Sequence, residues 1–305
     1  KMGDGWIVAL RHRDAGDLKS YRDMMARDYG EELQFLSTEQ TREKLNSVRY
    51  FESISNSGAF HIHPLKYSLM LAREAEKSGA SLHESSPALA VEKLGNEWRV
   101  RCAEGEVIAQ HVVHCVSSLD RIIHKASGRA VLPVATYVAV TEPLNQNAVR
   151  TSAAVADTRR AGNYYRLIDG GRLLWVGNIT TRVSEPERLA EQMKGDMLAT
   201  YPQLGNPRIE YSWAGLMGYA LHKMPLIGRD KDGQWFATAF GGHGMNTTAM
   251  AGQLLANAIA DGNDEYRRFA PFAPLWAGGQ LGRAGVQASY WWMQFRDRID
   301  EARAR

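Results

Sequence analysis

The order of apolar and polar residues predicts short strands and amphipathic helices in turn along the chain. Helices are predicted where apolar residues recur every three or four positions or where charged residues dominate, at 14–30, 38–45, 65–77, 186–201, 246–260 and 281–303. Pro64 suits the first turn of the third helix because its ring pre-sets the backbone angle there. In the last helix Leu281, Trp292 and Phe295 share one stripe, which predicts that this stripe docks on the protein itself, with a partner surface as the alternative.

Strands are predicted where apolar residues alternate with polar ones, or form short runs between turn residues. These segments are 88–93, 97–102, 111–116, 134–141, 153–156, 164–168, 173–176, 208–213, 224–229 and 235–240. The segment 111–116 is nearly all apolar at its centre, which is typical of a buried parallel strand. Several strands around one helix between 132 and 213 predict an antiparallel sheet covered on one side.

The composition favours a compact enzyme-like protein without nucleic acid as its main partner. The chain has 305 residues, 44% of them hydrophobic, which is enough for a sizeable core. Its 37 basic and 34 acidic residues leave a net charge of +3, too small for a nucleic-acid-binding surface. No apolar run has the length needed to span a bilayer, and no signal segment opens the chain.

The two cysteines predict a reduced, cytoplasmic protein. Cys102 and Cys115 cannot build a disulfide framework, and both lie in strand-like apolar segments. We therefore expect small buried side chains at both positions. His61 and His63 would share one face of a strand, but the sequence shows no further cluster of ligands, so no metal site is expected.

The segment 235–262 carries the most chemistry. An apolar strand over 235–240 runs through Gly241-Gly242-His243-Gly244-Met245-Asn246-Thr247 into a helix that ends at Gly262. A strand that turns through glycines into a helix directs free backbone N–H groups at whatever lies above the turn. This geometry favours an anionic or electron-rich ligand.

These motifs together resemble a known family. The stretch 58–64 (GAFHIHP), the later strands, Pro225-Leu226-Ile227-Gly228 and the glycine turn occur in the order seen in the FAD-dependent D-amino-acid-oxidase-like superfamily. Within it, the chain is most similar to amine and imino-acid oxidoreductases of the γ-glutamylputrescine oxidase and pipecolate oxidase type. Tyr290-Trp291-Trp292 near the end also resembles that subgroup. The resemblance covers essentially the whole chain.

The resemblance implies an α/β fold with α+β character. A partial Rossmann-like FAD domain, expected over 1–131 and 214–305, is interleaved with an antiparallel-sheet substrate domain over 132–213. The implied reaction moves hydride to the flavin from the carbon next to an amine nitrogen, and the resulting imine hydrolyses. The substrate is a small amine or amino acid, and the electron acceptor is dioxygen or another oxidant.

Site residues follow from the same resemblance. The turn would line the flavin, with Ser117 after a strand and Ala88 near the adenine completing the cofactor contacts. The expected cofactor residues are Ala88, Ser117, Gly241, Gly242, His243, Gly244, Met245, Asn246 and Thr247. Tyr165 and Arg166 are the candidates for catalytic contacts with the substrate, because Arg166 is the best remaining grip for an anion.

The chain also departs from the family pattern. The strand with Gly-x-Gly-x-x-Gly that opens the family is absent, and Met217 stands where amino-acid oxidases place a carboxylate-binding arginine. Asn246 replaces the lysine of N-methyl amino acid oxidases. Without this arginine and this lysine, the sequence favours an amine as substrate, or an acid whose carboxylate is held by other residues. The alternative is a truncated or degenerate member that binds a partner without catalysis.

Overall fold

A computed structural model describes residues 5–12, 14–119, 123–145 and 148–304. The strands are β1 (Trp6–Ala9), β2 (Gln34–Leu36), β3 (Ser53–Asn56), β4 (Ala90–Leu94), β5 (Glu97–Arg101), β6 (Glu106–Ala109), β7 (Val113–His114), β8 (Leu132–Pro143), β9 (Ala154–Asp157), β10 (Tyr164–Ile168), β11 (Arg172–Thr180), β12 (Ile209–Tyr219), β13 (Leu226–Arg229) and β14 (Trp235–Thr238). The helices are α1 (Gly16–Tyr29), α2 (Thr38–Leu45), α3 (Pro64–Lys77), α4 (Lys125–Ala130), α5 (Leu189–Thr200), α6 (Gly244–Asp261) and α7 (Gly279–Ala304). The mixed α/β class expected from the sequence is confirmed.

The chain forms two compact units, each made of separate segments. The first contains the described residues of 1–63, 135–215 and 286–305, and the second those of 64–134 and 216–285. This division differs from the predicted domains, which placed both chain ends with the FAD domain. The reason lies in hydrogen bonds: β1 pairs with β9, and Gln287 on α7 accepts from Thr180 and Thr181.

The first unit is built on one eight-stranded sheet in the order β12-β8-β11-β10-β9-β1-β3-β2. β1 runs parallel to β9, with Trp6 beside Ala154, whereas it is antiparallel to β3. The strand β1 was not predicted, because four residues ahead of a charged helix give too short a pattern. Trp175, Tyr50 and Met193 are fully buried in the core cluster of this unit.

The second unit contains two three-stranded sheets, β13-β14-β7 and β4-β5-β6. The hairpin of β4 and β5 matches the predicted turn at Gly95 and Asn96. Helix α6 packs its buried residues Ala251 and Leu255 against Trp235 of β14. The predicted apolar helix therefore follows the last strand and covers it.

The prediction of a buried parallel strand over 111–116 is only partly right. β7 is parallel to β14, but it has two residues and lies at the edge of its sheet within the described part of the chain. Val113 and Val116 are each 40% exposed. Cys115 is exposed and Cys102 half-buried, so the expectation of two buried cysteines is wrong. An edge strand has a hydrogen-bonded neighbour on one side only. The apolar residues in and just after β7 are therefore less surrounded by protein than those of a central strand.

The last helix is present as predicted, but the expectation that its apolar stripe docks on the protein itself is wrong. In α7 the aromatic stripe is exposed: Trp292 is 59% and Phe295 52% accessible. The buried positions are Gln287, Asp297 and Ala304. Asp297 binds the backbone N–H and the guanidinium of Arg160, so polar contacts rather than the aromatic stripe attach this helix. No helix in the described ranges is long and apolar enough to cross a membrane.

Candidate functional site

The glycine turn between β14 and α6 has the backbone geometry that its sequence predicts. Gly241 has φ +56°, a left-handed conformation that glycine adopts freely. Ala239, two residues earlier, is also left-handed at +60° and almost fully buried. Left-handed conformations are rare for residues with a side chain and mark functional or strained turns. The chain thus reverses tightly before α6 begins at Gly244.

The start of α6 carries no side-chain cap. His243 stands at the N-cap position and makes no side-chain hydrogen bond to the helix. The first four N–H groups of an α-helix have no partner within the helix, and together they attract negative charge. Gly242, His243, Met245 and Asn246 are exposed, as a ligand-binding turn requires. Thr247 turns its hydroxyl back to the carbonyl of His243, at 2.7 Å.

A cavity of about 540 Å³ lies beside this turn, within the second unit. Its walls come from β7 and the residues after it, from the end of β12, from β14 and the turn, and from one face of α6. The lining residues are Val113, Cys115, Ser117, Leu216, Met217, Ala237, Thr238, Phe240, Gly241, Gly244, Thr248, Gly252, Leu255, Ala256 and Ile259. These residues are predominantly apolar, which suits a flat aromatic ligand.

The glycines of the cavity leave room for a planar ring. A methyl group added at Gly252 would meet nothing within 4 Å, and one at Gly244 would have its nearest neighbours at 3.8 Å. An open apolar slot and an uncapped helix start fit the needs of an isoalloxazine with its polar edge.

The predicted cofactor residues are only partly brought together. Gly241, Gly244 and Ser117 line the same cavity, and Ser117 is left-handed at φ +51°. A methyl group on Gly218 would lie 2.7 Å from Cγ1 of Val131 and 2.9 Å from the Ser117 hydroxyl, so a larger residue at position 218 would have to displace these neighbours. Ala88 is exposed in the segment before β4 and does not line the cavity. Its predicted contact with adenine stays a prediction.

Tyr165 lies in the core of the first unit. It is 3% exposed, stacks on Trp175 with ring centroids 4.6 Å apart, and its hydroxyl bonds those of Tyr50 and Tyr201. Burial, the largest cause, raises the pKa of Tyr165 well above its ordinary value. This placement gives Tyr165 a packing role in the core. Its predicted contact with a substrate stays a prediction.

Arg166 is half-buried and already holds two partners. Its guanidinium donates to Nδ1 of His61 at 2.8 Å and to the carbonyl of Ile62 at 3.0 Å. Nε2 of His61 in turn lies 3.1 Å from the carbonyl of Ser152. Because a carbonyl only accepts, His61 donates from Nε2 and accepts at Nδ1, which is the neutral form. Burial lowers the pKa of Arg166.

One site residue has no signal in the sequence. Tyr219, at the end of β12, accepts a hydrogen bond from the N–H of Gly242 in the glycine turn and matches no pattern of its own. Met217, which the comparison with the family pattern singled out, lines the cavity from the same strand. Only the fold places the end of β12 beside a turn more than twenty residues further along the chain.

A serine, a histidine and an aspartate also meet in the second unit. His124 lies 2.5 Å from the Ser127 hydroxyl and 3.1 Å from the Asp230 carboxylate, and stacks on His114. Ser127 and His124 are each 3% exposed. A nucleophile must reach its substrate, so this buried contact is a structural link between α4 and the turn after β13.

Comparison with known families identifies the class of protein, an FAD-dependent oxidoreductase. A family model described as "FAD dependent oxidoreductase" matches residues 2–258. The chain therefore belongs to the FAD-dependent oxidoreductase (DAO) family, and the resemblance inferred from its motifs is confirmed.

Similar proteins agree with this membership. The chain is 31% identical over 267 residues to the probable oxidoreductase OrdL of Haemophilus influenzae, covering 85% of this chain and 61% of that protein. It is 26% identical to gamma-glutamylputrescine oxidoreductase of Escherichia coli, over 97% of this chain and 71% of that protein. The chain thus spans less than two thirds of the OrdL protein's length.

Solved structures show the same fold. Glycine oxidase from Geobacillus kaustophilus has a TM-score of 0.79 at 18% identity, with 90% of this chain and 76% of that chain covered. L-proline dehydrogenase from P. horikoshii has a TM-score of 0.74, also at 18% identity, with 88% and 77% covered.

Proposed function

We propose that this protein takes part in FAD-dependent oxidation of a small amine. The observation that carries the proposal is the uncapped, glycine-rich start of α6 at the rim of an open apolar cavity. Membership of the FAD-dependent oxidoreductase family supports it. Bound FAD would supply the two-electron acceptor for hydride from the carbon next to the amine nitrogen, and water would then hydrolyse the imine.

In this proposal the residues around the cavity bind the flavin and fix its orientation. The N–H groups at the start of α6 stabilise negative charge at the polar edge of a bound flavin. Gly244 and Gly252 let the ring approach the backbone because they carry no Cβ. Leu255 and Ile259 extend the apolar wall and exclude water. Exclusion of water strengthens each electrostatic contact in such a site.

The lining of the cavity favours an amine over an α-amino acid. Among the described residues that form its walls, Cys115 is the only ionisable one. A carboxylate moved into an apolar cavity without a cation or several donors loses hydration that nothing replaces. Met217 stands in this wall and cannot offer the paired donors of a guanidinium.

Flavin binding is the direct test of the proposal. FAD is added to the purified chain, and quenching of flavin fluorescence, the visible spectrum and thermal unfolding are recorded. The expected result is saturable quenching with a rise in the midpoint of unfolding. A matched pair of variants locates the site: Gly252→Phe fills the cavity wall, whereas Gly195→Phe changes helix α5 of the first unit. Absence of binding would leave the non-catalytic alternative.

Substrate class is tested with the FAD-loaded protein. Turnover of amines without a carboxylate on the reacting carbon is compared with turnover of glycine and proline. We expect wild type to prefer the amines and Met217→Arg to shift the ratio of kcat/KM towards the amino acids by roughly tenfold or more. Met250→Arg is the control, because Met250 is 41% exposed on α6 and does not line the cavity. Equal ratios in wild type and Met217→Arg would exclude the proposed role of Met217.

A further inference from the structure

Tyr219 makes three contacts with the glycine turn, all within the second unit. Its backbone forms an isolated antiparallel bridge with Phe240, the residue before the turn. Its hydroxyl accepts a hydrogen bond of 3.1 Å from the N–H of Gly242. Its ring lies against Gly241 so closely that a methyl group there would be 2.5 Å from Cε1. Consecutive residues of the turn are thus held by one side chain and its backbone.

The turn needs such support because its backbone is unfavourable. Ala239 and Gly241 are both left-handed, with Phe240 between them in the right-handed region. A buried alanine with positive φ persists only where the surrounding structure enforces it. The N–H of Gly242 donates to the Tyr219 hydroxyl, so this side chain satisfies one backbone donor of the turn.

We propose that Tyr219 is a positioning residue for the flavin, and this inference rests on the proposed flavin site. Tyr219 does not line the cavity. It fixes the turn from behind, so that the N–H groups which begin α6 keep one direction relative to the cavity wall. Preorganised donors bind charge more strongly than donors that must first be ordered.

Two variants separate the parts of this contact. Tyr219→Phe keeps the ring against Gly241 and removes the hydroxyl, which accepts from the Gly242 N–H and donates weakly to Sδ of Met217 at 4.0 Å. Because Gly242 is exposed, water can replace that acceptor, so apoprotein stability changes little. Tyr219→Leu also removes the ring. Tyr211→Phe on the same strand is the control, since Tyr211 is 62% exposed.

The experiment measures FAD affinity, the visible absorption and circular dichroism of bound flavin, and unfolding of the apoprotein. For Tyr219→Phe we expect about fivefold weaker FAD binding, as the loss of one hydrogen bond produces, with an altered visible spectrum. Tyr219→Leu is expected to bind more weakly still. The control should match wild type in affinity and spectrum.

A double-variant cycle adds a second test. Gly241→Ala clashes with the ring in wild type but not in Tyr219→Ala, where only the left-handed backbone resists the new side chain. The two effects on FAD affinity should therefore combine to less than their product.

The outcomes are distinguishable. Wild-type affinity and spectrum in Tyr219→Phe and Tyr219→Leu, or effects in the cycle that simply multiply, would overturn the role of Tyr219 and leave the proposed function intact. A loss of affinity that only follows a loss of folded apoprotein would overturn it as well. Absence of FAD binding by wild type would overturn the proposed function and this inference together.

Discussion

Glu301 on α7 holds together a cluster of arginines in the first unit, and its removal should destabilise that unit. Arg11, which is 3% exposed, donates to both oxygens of the Glu301 carboxylate at 3.3 and 3.1 Å. Arg49 donates to the same carboxylate at 2.8 Å. The substitution Glu301→Gln keeps the size of the side chain and removes its charge.

The magnitude follows from burial. Breaking a buried ion pair on one side costs about 3–5 kcal/mol, because it leaves an uncompensated charge. Arg49 is 25% exposed and can turn to water, and the amide of glutamine keeps one acceptor. We therefore expect Glu301→Gln to lower the free energy of unfolding by about 2–3 kcal/mol. Urea unfolding followed by fluorescence and circular dichroism measures this loss.

The pH dependence has a definite sign. Burial acts to raise the pKa of Glu301, but the charges of Arg11, Arg159 and Arg49, with the hydrogen bond from Arg11, outweigh it and hold that pKa below its ordinary value. A depressed pKa stabilises the fold above the unfolded pKa, about 4.3, and that stability is lost as the pH falls through the folded value. Glu301→Gln should lose less stability than wild type over this acidic range.

The control is Glu265→Gln, because Glu265 pairs with Arg268, which is 79% exposed. Surface pairs of this kind contribute about 0.5 kcal/mol or less. A loss below about 1 kcal/mol for Glu301→Gln, or the same acid unfolding as wild type, would refute the reasoning.

Two more substitutions test the packing of the first unit. Tyr165→Phe removes a hydroxyl that forms hydrogen bonds with two neighbouring tyrosines. The free energy of unfolding in urea titrations should therefore fall by about 1–2 kcal/mol, while FAD affinity stays unchanged. A change in FAD affinity without a change in stability would contradict the core placement. Gly177→Ala would place a methyl group 2.2 Å from the buried Asn163 side chain and should lower the free energy of unfolding by about 1–3 kcal/mol. Gly195→Ala has open space in helix α5 and should raise the free energy of unfolding by about 0.5–1 kcal/mol. Equal shifts in melting temperature for the two variants would refute this prediction.

Local signals in the sequence predicted much of the fold. Ser37 forms a capping box with Gln40 at the start of α2, and Pro64 begins α3, as their residue types indicate. The glycine turn leads into α6, and Gly241 has the left-handed conformation that glycine adopts freely. These features depend on a few neighbouring residues, so a single sequence carries them.

Contacts between distant residues were not predictable in this way. The aromatic stripe of α7 has the spacing of a buried face, yet the helix is attached through Gln287, Asp297 and Glu301. Periodicity reports only that a face is apolar, and the fold decides which face finds a partner. β1 was not predicted for a related reason. Its four residues form a strand through pairing with the distant β9, and this pairing leaves no pattern in the four residues themselves.

The candidate site likewise has parts that the local sequence predicts and parts that depend on contacts between distant residues. Its backbone elements, the turn and the helix start, follow from glycines in the sequence. The substrate prediction relied on Arg166 being available, whereas the structure occupies its guanidinium with His61 and Ile62. Side-chain partners of this kind depend on tertiary structure, and so do the positions of Met217 and Tyr219.

Hydrogen–deuterium exchange with and without FAD tests the central claim most directly. The claim is that the free backbone N–H groups at the start of α6, from Gly244 onward, hold the flavin beside the apolar cavity. We predict that FAD slows amide exchange in peptides covering 241–248, while peptides covering α2 in the first unit keep their rates. FAD binding with unchanged exchange across 241–248 would contradict the account.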